Sequence, residues 1–134
     1  MNNLQLAQTL RDLSVYLDYN FNEGEQSAMS QCIRQYPAAW LNPPALHSVE
    51  GREHGRITYD VTLHLTDAGA KLSPEARNRR AAEMEKDMLE IFTRLSETSN
   101  VIAVENLTIA PRTFALTSHG EISQTANARV ITCF

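Results

Sequence analysis

One stretch constrains this chain more than any other. Arg56 to Asp67 reads Arg-Ile-Thr-Tyr-Asp-Val-Thr-Leu-His-Leu-Thr-Asp, with Ile57, Tyr59, Val61, Leu63 and Leu65 on one side of a period of two and Thr58, Asp60, Thr62, His64 and Thr66 on the other. That alternation predicts a half-buried β-strand. Most positions are β-branched or aromatic, and neither Gly nor Pro interrupts the run, so the strand suits the middle of a sheet. A strand of that kind needs partner strands beside it and an apolar layer above it, and the flanking sequence has to supply both.

At 134 residues the chain reads as one domain, long enough to bury roughly two thirds of its unfolded surface. With 43% hydrophobic and 21% charged residues it falls in the ordinary globular class. No apolar run approaches the roughly 20 residues that a membrane helix needs, and the first residues lack the regions of a signal peptide, so the expected setting is cytoplasmic. Cys32 and Cys133 are far apart and lack metal-type spacing; both are expected to be reduced. The formal charge of -4 argues against general affinity for nucleic acid, which requires clustered Lys and Arg.

Asn2 or Asn3 can cap a first helix, whose Leu6, Leu10, Leu13 and Leu17 recur at steps of three and four. The Asn20 to Gly24 segment reads as its stop. Between Glu25 and Arg34, Met29, Cys32 and Ile33 have helical spacing, but the segment fits either a single turn or an irregular connection. Tyr36 to Leu41 reads as a short strand, bent or broken by Asn42-Pro43-Pro44 and therefore an edge or bulged strand. Pairing resumes through Ala45 to Glu50. Gly51-Arg52-Glu53-His54-Gly55, with a glycine at each end, reads as a projecting hairpin loop that leads into the central strand.

Ser73-Pro74-Glu75 is a helix start, with an N-cap, a proline at the first helical position and an acid in the first turn. The helix is predicted to run to about Glu97. Ala81, Met84, Met88, Ile91 and Leu95 form its apolar stripe, with Leu89 and Phe92 beside them, and Glu83, Lys86, Glu90, Arg94 and Glu97 face water. Val101 to Ile109 reads as a third strand whose first residues are alternatively a helical turn. Pro111 to Gln124, containing Ser118 and His119, reads as a mobile loop or long hairpin connection. Thr125 to Phe134 alternates again and predicts a last strand. The sum is an α+β domain: a mostly antiparallel sheet of about four strands, with the N-terminal helix and the long helix packed on one face.

The search for chemistry is nearly empty. There is no glycine-rich phosphate loop, Gly-x-Ser-x-Gly, His-Glu-x-x-His or Cys-x-x-Cys. His47, His54 and His64 are the one group worth weighing as metal ligands, and three unrelated polar positions outweigh that idea, because metal sites without Cys or acidic partners at set spacing are rare. Asp60 and His64 lie four residues apart along a strand rising about 3.3 Å per residue, too far for a direct dyad. The chain is therefore expected to have no catalytic, cofactor or metal residues. Arg77, Arg79 and Arg80 are more informative, since they occupy the start of the long helix, where the macrodipole disfavours cations by a few tenths of a kcal/mol each. Either Glu75, Glu83 and neighbouring acids screen them, or they contact an acidic surface of another subunit or protein.

The order helix, strand, strand, long helix, strand, strand, with Tyr36-Pro37-Ala38, the polar hairpin, Ser73-Pro74 and the ending Ala-Arg-Val-Ile-Thr-Cys-Phe, resembles the tail-terminator (minor tail, tail-completion) proteins of long-tailed bacteriophages. The likeness runs from Leu4 to Phe134 and rests on element order, size and strand character. It implies a structural, non-enzymatic subunit that forms a hexameric ring, caps the tail tube and meets the head-completion or connector protein. It also implies assembly in the host cytoplasm and a final place in the virion tail, with no specific nucleic acid and no membrane as partners. A ring needs heterologous contacts, for which Arg52, Glu53, His54, Arg77, Arg79, Arg80, Ser118 and His119 are the candidate residues. The competing reading is a small α+β ligand-binding module or enzyme subunit, with a pocket between sheet and long helix near Tyr59, His64 and Trp40.

Overall fold

In the computed structural model, which describes residues 1–111 and 120–134, helix α1 (Asn3–Tyr16) is followed by strand β1 (Asn20–Glu23), a 3-10 turn at Gln26–Ala28 and a short helix α2 (Met29–Cys32). Strands β2 (Ala38–Leu41), β3 (Ala45–Gly51) and β4 (Gly55–Asp67) lead to helix α3 (Pro74–Ser96), then β5 (Val101–Pro111) and β6 (Ile122–Cys133). Asn2 caps α1 through a capping box with Gln5, satisfying amides that the first turn leaves unpaired. Leu17 is the C-cap, and Asp18 takes a left-handed conformation at φ 67, so α1 ends before the stop expected at Asn20. The Ser73 side chain accepts from the Ala76 amide and Pro74 opens α3, as the sequence predicts.

The central strand holds the sheet together. All of β4 from Arg56 to Asp67 pairs antiparallel with β6, and its other edge is shared by β3 over residues 56–60 and β2 over residues 63–66. Asn42-Pro43-Pro44 divides those two partners, since proline has no amide to donate to the ladder. The full order is β1-β2-β4-β6-β5, with β3 beside β4, which makes six strands in place of the expected four or so. The sheet is mixed, because β1 runs parallel to β2. β1 also places β2 inside the sheet, which corrects the expectation that the Tyr36 to Leu41 strand lies at an edge.

Both faces are partly covered. Leu6 and Leu10 of α1, with Met84, Met88, Ile91, Phe92 and Leu95 of α3, pack on Tyr59, Val61, Leu63 and Leu65 of β4 and Ala126, Ala128 and Val130 of β6. The two long helices therefore share one face, as expected. On the opposite face Met29, Ile33, Ala38 and Trp40 form a second small core. Trp40 lies opposite His64 in the register, so His64 and Thr66, expected to face water, are fully buried, and Thr58 is nearly so. Nδ1 of His64 lies 2.8 Å from the Thr125 hydroxyl, which gives that ring nitrogen the hydrogen bond that burial calls for. Cys32 and Cys133 are free thiols.

Candidate functional site: an arm edge and an opposite notch

The arm formed by β3 and the first half of β4 ends in the loop at Arg52, Glu53 and His54, all exposed. Gly51 has φ 98, and a Cβ at Gly55 would lie 1.9 Å from the Glu50 carbonyl oxygen; only glycine closes this turn without strain. The base of the arm is stitched down, since Gly55 and Phe134 exchange two backbone hydrogen bonds of 3.3 and 3.0 Å. The three candidate residues therefore stand on a fixed support. Ser118 and His119 lie outside the described residues.

The arginine cluster divides. Arg80 Nε donates to Asp67 at 2.6 Å and Nη1 donates to Glu83 at 3.2 Å, with the side chain only 24% exposed. Burial opposes its charge, yet the hydrogen bond to Asp67 and the neighbouring negative groups leave its pKa raised. Arg77 Nη1 donates to the carbonyl oxygens of Gly69 and Gly120, tying the β4–α3 connection to the start of β6. Arg79 is exposed and makes a 3.6 Å surface pair with Glu75, an interaction of small worth. Two of the three cations thus serve the chain's own packing, with the acids on the helix supplying part of the screening.

Next to Arg80, buried Tyr19 donates to Asp87 at 2.7 Å. Burial first, and then that hydrogen bond to Asp87, push its phenol well above its ordinary range. The position binds the α1–β1 connection to α3 through a neutral hydroxyl and supplies no exposed reactive group.

The pocket expected near Tyr59, His64 and Trp40 does not form from those residues. Tyr59 faces the helices, whereas Trp40 packs in the second core and His64 pairs with it on the far face of the sheet. The three histidines are also separated: His47 Nδ1 lies 3.3 Å from Asp60, His54 is on the loop and His64 is internal. Among the described residues, no group of three or more His, Cys, Asp or Glu side chains could hold a metal ion. An open groove of about 390 Å³ runs between α1, β1 and the residues after α2, lined by Arg11, Tyr19, Asn20, Asn22, Cys32 and Arg34. Its lining contains no carboxylate or imidazole.

Sequence reasoning passed over the apolar residues at the two edges. Leu46 and Val49 on β3 are 61% and 55% exposed, although they stand opposite Tyr59 and Ile57 on the helix-covered face. The helix layer stops short of β3. At the opposite edge a notch of about 190 Å³ opens between α3 and β5, lined by Phe92, Thr93, Ser96, Val104 and Leu107. Leu89, which the helical stripe places near the core, is 48% exposed. The chain matches no protein-family model and no curated protein sequence.

Proposed function

We propose that this protein is a structural assembly subunit of the tail-terminator kind, forming a ring that caps a phage or prophage tail tube and joins it to the head connector. The observation that carries the reading is the pair of apolar sites on opposite edges of one sheet: Leu46 and Val49 exposed on β3, and the Phe92–Val104–Leu107 notch beside β5. Two different patches on opposite sides of a subunit are what a heterologous, ring-closing contact requires, whereas a two-fold dimer needs one self-complementary patch. The fixed polar loop at Arg52, Glu53 and His54 suits contact with a further partner, as loops on a rigid scaffold commonly do. The α+β layout, with a long helix before the last two strands, is compatible with the resemblance from which the reading began. The chain acts without catalysis or cofactor on this reading, and it works in the host cytoplasm before entering the virion. No helix among the described residues is long and apolar enough to cross a membrane.

The test is capping. Tail-tube subunits encoded beside this chain are polymerised with and without the purified protein, and tube ends are imaged by negative-stain electron microscopy. A ring on one end of each tube and a halt in elongation are expected. Bare ends and unchanged tube growth at saturating protein would overturn the proposal.

A further inference from the structure

The two edge features also say how neighbouring copies meet. We infer that β3 of one copy adds to the first half of β5 of the next, antiparallel, so that the sheet continues from subunit to subunit and Leu46 enters the notch beside α3. The inference rests on the ring-forming reading and assigns it an interface.

Strand direction comes first. The series β3-β4-β6-β5 is antiparallel at every step, so strand directions alternate across it. A fifth strand added beyond β5 in the same sense as β3 continues that alternation. The outer edges of β3 and β5 have no strand partner among the described residues. Such edges are templates for pairing with another chain.

Level comes second. Leu46 is opposite Tyr59, Tyr59 opposite Val130, and Val130 opposite Val104; likewise Val49, Ile57, Thr132 and Val101 form one row. The exposed apolar residues of β3 therefore stand on the same rows, and the same face, as the β5 residues at the notch. Moving a copy sideways along the sheet brings Leu46 against Val104, with Phe92 and Leu107 around it and Leu89 at the rim.

Charge complementarity supplies the third line and points to a second copy as the occupant. On the other face, His47 contacts Asp60 at 3.3 Å, Asp60 contacts Arg129 at 3.3 Å, and Arg129 is opposite Glu105 in the register. This row alternates between basic and acidic side chains and ends in an exposed imidazole on β3 and an exposed carboxylate on β5. Joining the edges sets Ala45 opposite Glu105 and His47 diagonal to it, as His47 is diagonal to Asp60 within the chain, so the basic and acidic groups continue to alternate at the reach of a diagonal cross-strand contact. Pairing is confined to Val101–Glu105. A bulge between Glu105 and Thr108, with Asn106 at φ 55, ends that stretch. Beyond it, β1 and β2 occupy the same side of β4 as β3, which leaves only the β3 stretch of that side for the neighbouring β5.

The test is site-directed crosslinking in the full chain with Cys32→Ser and Cys133→Ser. Leu46→Cys and Val104→Cys are prepared separately and then mixed under mild oxidation. The mixture is expected to give a 46–104 crosslinked pair that neither variant gives alone, and the chain carrying both substitutions is expected to give a ladder. Leu46→Asp, at an exposed position, is expected to keep the circular dichroism spectrum and weaken self-association at least about tenfold. Association that persists without a 46–104 crosslink, a preferred 46–46 crosslink, or undiminished association of Leu46→Asp would each overturn this interface while leaving the ring reading standing. A wild-type chain that stays monomeric, alone and with tail tubes, would overturn the ring reading and this inference together.

Discussion

Tyr19 and Arg80 show how single side chains fix the helix layer. Tyr19 is 3% exposed and reaches Asp87 of α3, while Arg80 of α3 reaches Asp67 at the end of β4; one contact ties the α1–β1 connection to the helix and the other ties the helix to the sheet. The tyrosine also gives the fold a pH dependence. Its pKa in the folded chain is raised above the ordinary 10, so the unfolded chain loses the phenolic proton before the native one does. Tyr19 therefore contributes stability that is fully present below about pH 10 and is lost as the pH climbs beyond it, by at most about 1.4 kcal/mol per pH unit. Urea unfolding at about pH 9 and about pH 11 is expected to show a smaller loss for Tyr19→Phe than for wild type. Equal losses would assign that pH sensitivity to other groups. The arginines illustrate what linear sequence hides. Their number at the start of α3 is conspicuous, but Arg77 binding the carbonyls of Gly69 and Gly120 depends on the fold bringing these two distant residues to the helix, which no spacing rule reveals.

At the level of elements, the strongest sequence signals produced the clearest structures. β4 and α3 follow from alternation and from Ser73-Pro74, because each pattern is local and each matches a single backbone period. β1 had no such signal. Asn20-Phe21-Asn22-Glu23 lacks the β-branched residues that favour a strand, and its pairing with β2 is parallel and non-local. The second core was half legible: Met29 and Ile33 had helical spacing, yet an alternating strand reveals only that one face is apolar, not whether the other is also covered. Trp40 decides this. It is 1% exposed between the α2 segment and the sheet, so Trp40→Ala is expected to cost about 3–5 kcal/mol in urea unfolding, as large aromatic truncations do. A loss below about 1 kcal/mol would mean that the face is solvated and that His64 is not held in a packed interior.

For the whole molecule, the edges carry the account. A sheet with helices over its middle and bare strands at both sides has satisfied its core but not its edges, and natural proteins commonly protect such edges with charge, bulges or partners. β3 contains one bulge or register irregularity and β5 two, yet β3 also exposes Leu46 and Val49. That combination is wasteful for a permanent monomer, in which exposed apolar groups gain nothing from folding, and useful for a subunit that buries them on assembly. From the sequence, assembly is an expectation resting on element order and the lack of catalytic motifs, with the polar loop and the arginines as its candidate contacts. Sequence reasoning missed the apolar edge residues because Leu46 and Val49 look like ordinary strand interior until the reach of the helix layer is known.

The central claim is that the chain closes into a ring, and sedimentation velocity over a concentration series measures this most directly, alone and in the presence of tail tubes. The account predicts a reversible, concentration-dependent shift from subunit to one closed species, with six copies expected from the tail-terminator resemblance and no larger polymer as concentration rises. A wild-type chain that sediments as a monomer at every concentration, also with tubes, would contradict it.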